Sequence, residues 1–137
     1  MENKIPIGHT FQKDFHVTSD QILQFAKVSS DFNPIHLDSK FAETTPFKKP
    51  IAHGFLTGSF ISSVLGNDFP GKGTIYLSQS IEFKAPVYAE DTVTVHVKLT
   101  ESIGKNKYKL ETTCFNQNNT LVISGTAIIS NSLIHII

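Results

Sequence analysis

Within the run Ser29-Ser30-Asp31-Phe32-Asn33-Pro34-Ile35-His36, an aspartate and a histidine, Asp31 and His36, flank a proline-stiffened turn. A carboxylate and an imidazole held at fixed separation form an acid/base pair that can move protons to and from one water molecule. Five positions apart on a continuous helix, the two would point to different faces. Pro34 disfavours a helical Asn33, and a turn broken there can bring both side chains over one point. A structural reading stands beside this one: Asp31 as a helix-end or Asx-turn residue, Asn33 as a turn former, His36 as a half-buried polar ring. Local composition does not choose between them.

The second cluster is Pro50-Ile51-Ala52-His53-Gly54, at the start of an apolar helical pattern. The first amides of a helix lack intrahelical partners and lie at the positive end of its dipole. A carbonyl oxygen docked on the Gly54 N–H would be stabilised as it gained negative charge, and glycine leaves the approach open. The plain alternative is a glycine kept for a tight turn or close packing. His53 is either a support for His36 and a ligand or a structural hydrogen-bonding group. Ser62 lies seven positions after Phe55 and three after Ser59, so the three share one stripe of that helix. It is read either as a pocket hydroxyl near the pair or as a small residue that permits close packing.

Other chemistries lack their signatures. His9, His16, His96 and His135 are scattered without spaced partners, so no metal site is expected. No serine sits in Gly-x-Ser-x-Gly, and Pro70-Gly71-Lys72-Gly73 is too short for a phosphate-binding loop. The single cysteine, Cys114, excludes an internal disulfide and suits a reducing compartment. Twelve basic residues balance twelve acidic ones, so neither nucleic acid nor a membrane surface is an expected partner. Met1-Glu2-Asn3-Lys4-Ile5-Pro6 offers no signal-peptide core, and no segment reaches about 18 uninterrupted apolar residues. A cytoplasmic location is expected.

The elements that must position these residues follow from periodicity. The length of 137 residues, 39% apolar, suits one α+β domain over 1–137, long enough to bury a core unaided. Residues 10–17 read as a strand, and Thr18-Ser19-Asp20-Gln21 matches a capping box ahead of a helix ending near Ser30. Asp38 caps a short helix, 44–50 is an irregular loop, and 54–65 is a helix without charge, ended by Gly66. A helix so uniformly apolar or small belongs inside the protein. Residues 74–83, 92–100, 108–116 and 121–130 alternate as strands, joined by separators short enough for an antiparallel meander in chain order. About five strands curling around one long buried helix, with a short-helix overhang carrying the Asp31–His36 turn, is the expected architecture. Such a sheet keeps free edges, which two copies cover by pairing, so a homodimer is expected.

The run Asp31-Phe32-Asn33-Pro34-Ile35-His36, then Pro50-Ile51-Ala52-His53-Gly54, Gly73-Thr74-Ile75-Tyr76 and Phe83-Lys84-Ala85-Pro86-Val87, resembles the (R)-specific enoyl-CoA hydratases. These MaoC-like, or hydratase 2, proteins have the hot-dog fold, and the resemblance is closest to the small bacterial members that supply polyhydroxyalkanoate synthesis. It covers nearly the whole chain. Many relatives carry glycine where this chain has Ser30. The resemblance implies reversible syn hydration of a trans-2-enoyl-CoA to the (R)-3-hydroxyacyl-CoA, a lyase reaction of fatty acid metabolism without metal or other cofactor. It implies Asp31 and His36 as the catalytic pair, Asn33 as their support, Gly54 as backbone donor to the thioester oxygen and Ser62 as a pocket serine. The expected partner is an acyl-CoA thioester, with a second copy of the chain. Lys48, Lys49, Lys72 and Lys84 are candidates for the coenzyme A phosphates, and Leu65 for the floor of the acyl pocket. A thioesterase or a noncatalytic acyl-thioester binder shares the substrate class; the absence of Asp or Glu from 54–65 disfavours the hydrolase.

Overall fold

The computed structural model describes residues 3–137; Met1 and Glu2, at the head of the segment read as lacking a signal-peptide core, lie outside the described residues. The strands β1 (Asn3–Ile5) and β2 (Thr10–His16) are followed by the helices α1 (Ser19–Ser29), α2 (Pro34–Leu37), α3 (Ser39–Glu43) and α4 (Gly54–Ser63). Then come β3 (Ile75–Phe83), β4 (Thr92–Gly104), β5 (Lys107–Phe115), β6 (Leu121–Ser130) and β7 (Ile134–Ile136). Period-two alternation sets the sheet: Val93, Val95, Val97 and Leu99 of β4 point into the core, while Thr94, His96 and Lys98 face outward. Leu110 and Cys114 of β5 and Ile123, Ala127 and Ile129 of β6 continue the same apolar face. Against it packs α4 through Leu56, Phe60 and Ile61, followed by Val64 and Leu65.

The five-stranded sheet is antiparallel, in the order β2-β4-β5-β6-β3. The expected chain-order meander is corrected here: β3 does not pair with β4 but crosses to the far edge, beside β6. The reason lies in 84–91, which is not a hairpin turn. Its backbone is spent on other partners: Ala52 N–H donates to Val87 O (2.7 Å), Ile51 bridges Tyr88, and Glu90 N–H donates to Val17 O (2.6 Å). This crossing segment becomes a wall of the site.

Three further differences from the sequence reading have local causes. Gly66 does not end the helix; Val64–Asp68 continues α4 as one π-helical turn. Short β1 and β7 pair in parallel, an element too brief to show a periodicity. In the single chain only one side of α4 is enclosed: Phe55 is 69% exposed, and Ser59 and Ser62 on the same stripe also face outward. Among the described residues no helix is long and apolar enough to cross a membrane.

Candidate active site

The turn after α1 is rigid because its polar side chains satisfy its own backbone in sequence. Helix α1 begins in a full capping box, with Thr18 and Gln21 exchanging side-chain-to-backbone bonds of 3.1 Å each way. It ends at Ser30, held left-handed at φ 63° and ψ 22°. That conformation costs a residue other than glycine roughly 1 kcal/mol or more. Past it, Ser29 Oγ accepts from Asp31 N–H (3.2 Å), Asp31 Oδ1 from Asn33 N–H (3.2 Å) and Asn33 Oδ1 from Ile35 N–H (3.1 Å). Each side chain thus fixes the backbone two residues on. Asn33 is the N-cap of α2 with Pro34 in its first turn, so the helix that carries His36 starts at a defined point. The structural and chemical readings of Asp31 are therefore compatible: one oxygen organises the turn while the exposed carboxylate stays available.

His36 is half-buried, and its Nδ1–H donates to Ile51 O at 2.7 Å. A carbonyl only accepts, so the proton lies on Nδ1 and the lone pair on Nε2. Burial lowers the His36 pKa below its usual 6.5; the bond to Ile51 opposes this, neighbouring His53 adds to it, and Asp31 opposes it. A neutral imidazole with an accepting Nε2 is the resulting state near neutral pH. Ile51 N–H also donates to Ile35 O (3.1 Å), so two backbone strands are zipped together just before α4 begins. His53, the residue before α4, stacks on His36 with ring centroids 3.8 Å apart and a 27° tilt.

Asp31, His36, His53 and Gly54 line one cavity of about 310 Å³, together with Phe25, Ser29 and Phe55. Gly54 opens α4, so its amide is one of those a helix leaves unpaired at its positive end. The structure thus gathers the two sequence clusters around a single space. One donor atom from each of Asp31, His36 and His53 lies within 4.8 Å of the others. As a metal cage the trio is poorly aimed: stacked rings run their in-plane lone pairs side by side, and His53 Nε2 is bonded to Asp31 O (3.0 Å).

A second cavity, about 370 Å³, shares His36, Gly54 and Phe55 and is walled by Phe47, Phe83 and Val87. Sequence reasoning assigned no role to Phe83, although it belongs to one of the motifs quoted above. Its ring lies over Gly54 so closely that a Cβ at position 54 would stand 2.5 Å from it. Phe83 also meets Phe55 edge-on at 5.9 Å. The Ile51 carbonyl was missed as well, since backbone groups carry no residue-type signal.

Other candidates lie elsewhere. Ser62 is exposed on the outer stripe of α4, about 12 Å along the axis from Gly54, and lines neither cavity. Leu65 is sealed in the core. Lys49 stands 4.6 Å from the Tyr88 ring centroid, beside a separate cavity that also touches His36. Lys84 lines the second cavity but pairs with Glu82; Lys48 and Lys72 are exposed and line neither cavity.

The MaoC like domain family matches residues 2–120. The chain is 45% identical over 111 residues to an (R)-specific enoyl-CoA hydratase of Aeromonas caviae, covering 80% of this chain and 82% of that protein. It is 43% identical over 111 residues to the enzyme of the same name from Rhodospirillum rubrum, covering 81% and 77%. The solved (R)-hydratase from A. caviae, described as involved in PHA biosynthesis, superposes with a TM-score of 0.89 at 40% identity, over 93% of this chain and 97% of that one.

Proposed function

Because the chain belongs to the MaoC-like domain family, we propose that it is an (R)-specific enoyl-CoA hydratase, a hydro-lyase that adds water reversibly to a trans-2-enoyl-CoA. The observation that carries this reading is the single cavity into which the Asp31 carboxylate, the His36 ring and the head of α4 at Gly54 all converge. The residues 1–137 act as one hot-dog domain, and the reaction uses no cofactor beyond the coenzyme A of its substrate.

Charge flow assigns the roles. The thioester oxygen sits on the Gly54 N–H and gains enolate character as water oxygen bonds C3. One water is shared by two acceptors, the Asp31 carboxylate and His36 Nε2. Neither holds a spare proton at rest, so the hydrogen delivered to C2 comes from the water itself, passed through the pair. Hydroxyl and hydrogen then arrive from one face, which gives syn addition and one enantiomer. Asn33 holds the turn through its bond to Ile35 N–H.

Crotonyl-CoA tests the reading: hydration removes its conjugated-enoyl absorbance without releasing thiol. Released thiol would mark a thioesterase, and binding without either change a noncatalytic protein. The activity requires neutral His36, whose pKa is lowered, so kcat/KM is expected to hold through neutral pH and fall on acidification through a midpoint below 6.5. A midpoint above 6.5 would remove His36 from that role.

The same chain is its own partner in this proposal. The sheet has two edges, and they differ. Edge strand β2 presents Gln12, Lys13, Asp14 and His16 to solvent, a polar border that resists pairing. Edge strand β3 instead exposes Ile75 (61%) and Leu77 (47%), next to uncharged α4 with Phe55, Ser59 and Ser62 outward. Pairing two copies along β3 covers this surface and explains why α4 carries no charge on either side. Ser62 then contributes to the acyl path enclosed there. Leu77→Glu is expected to convert a dimer into a monomer by light scattering at micromolar concentration, whereas Lys13→Glu leaves the mass unchanged. The single cysteine, Cys114, is free and buried, which fits the reducing cytoplasm proposed as the protein's location.

A further inference from the structure

His53 performs no step of the reaction, yet it touches both halves of the machinery. Its ring is 2% exposed, sandwiched between His36 (3.8 Å between centroids) and Phe25 (4.9 Å). Its Nε2–H donates to the main-chain oxygen of Asp31 at 3.0 Å, across 22 residues of sequence. The next amide in the chain is that of Gly54. One side chain therefore ties the backbone of the proposed base to the residue adjoining the proposed oxyanion donor.

The hydrogen bond also sets the tautomer. The Asp31 carbonyl can only accept, so His53 keeps its proton on Nε2 and its lone pair on Nδ1. Nδ1 is sealed from solvent and has no partner among the described residues. A proton moved there from Nε2 would be a buried donor with nothing to receive it, and the Asp31 carbonyl would lose its donor, which disfavours the other tautomer.

We propose that His53 is a positioning residue: a latch whose Nε2–H holds the Asp31–His36 turn in register with the head of α4. The kinetic part rests on the hydratase reading; the latch itself does not. A register error of about 1 Å between acid/base pair and oxyanion donor is enough to cost on the order of 10² in rate.

The test compares His53→Phe, which keeps a ring between His36 and Phe25 but removes the donor, with His53→Gln, whose amide nitrogen can return it. His53→Phe is expected to lower kcat on crotonyl-CoA about 10²-fold with KM and the thermal midpoint little changed, and His53→Gln to recover most of the loss. Near-normal turnover in His53→Phe, or no gain from Gln over Phe, would overturn the proposal, as would a rise in KM with a collapse of the melting transition. A second measurement needs no activity and no variant. Nitrogen-15 NMR of the wild-type imidazoles at neutral pH should show His53 protonated on Nε2, and an unprotonated Nε2 would overturn the latch. If wild-type protein leaves crotonyl-CoA untouched, the hydratase reading fails while the NMR result still decides the latch.

Discussion

Asp31→Asn is expected to lower kcat by at least about 10² while leaving KM nearly unchanged. The substitution isolates proton transfer from architecture. In the native turn Asp31 Oδ1 accepts from Asn33 N–H, and an asparagine side-chain oxygen can accept the same bond. The Ser29–Asp31–Asn33–Ile35 relay therefore survives, as does the His53 bond, which goes to the main chain of residue 31. What disappears is an oxygen able to take a proton from water. In the proposed mechanism the pair acts on water rather than on the acyl chain, so substrate affinity is not the quantity expected to move. Steady-state kinetics on crotonyl-CoA, with a melting curve to show that the fold is intact, measure the effect. Turnover near normal would remove Asp31 from the chemistry and return it to the status of a turn residue.

Gly54→Pro is the corresponding experiment on the opposite side of the substrate, with an expected loss of about 10² to 10³ in kcat. Proline removes the N–H itself, which few backbone sites tolerate. Position 54 does, for two reasons. It is the first residue of α4, where proline leaves no helical bond unmade, and His53 already has the extended conformation (φ −59°, ψ 135°) that a residue before proline favours. Either alanine or proline brings a Cβ to 2.5 Å from the Phe83 ring, so that ring must swing aside in both. Phe83 is 51% exposed and has room to do so. Gly54→Ala thus measures the steric part alone and is expected to lose about tenfold or less. Equal losses in the two variants would show that the crowding at Phe83, not the amide, limits the reaction, and would withdraw Gly54 as the oxyanion donor.

The order of elements was legible because each rests on local physics. The capping box at Thr18–Gln21, the break at Asn33-Pro34 and the alternation of valines with polar residues in β4 are short-range patterns. The pairing of strands was not. Residues 86–91 look like a turn between neighbours, but their backbone bonds go to Ala52 and Val17, far away in sequence, so β3 leaves for the opposite edge. Helix α4 shows the same division: its lack of charge was visible, while the fact that Phe55, Ser59 and Ser62 face outward in one chain was not.

By itself the sequence marked the candidate groups for the chemistry: a carboxylate and an imidazole around a proline-stiffened turn, and a glycine opening an uncharged helix. Only the tertiary structure decided what those groups are. The proton on His36 is placed by a carbonyl 15 residues away, its stacking partner is supplied by the start of α4, and Phe83 closes over Gly54 from the end of β3. The physical reason is one of range. Caps, turns and periodicity act between residues a few positions apart and are written in residue type. Tautomer, burial and cavity shape depend on backbone groups and distant side chains that come together only when the chain has folded.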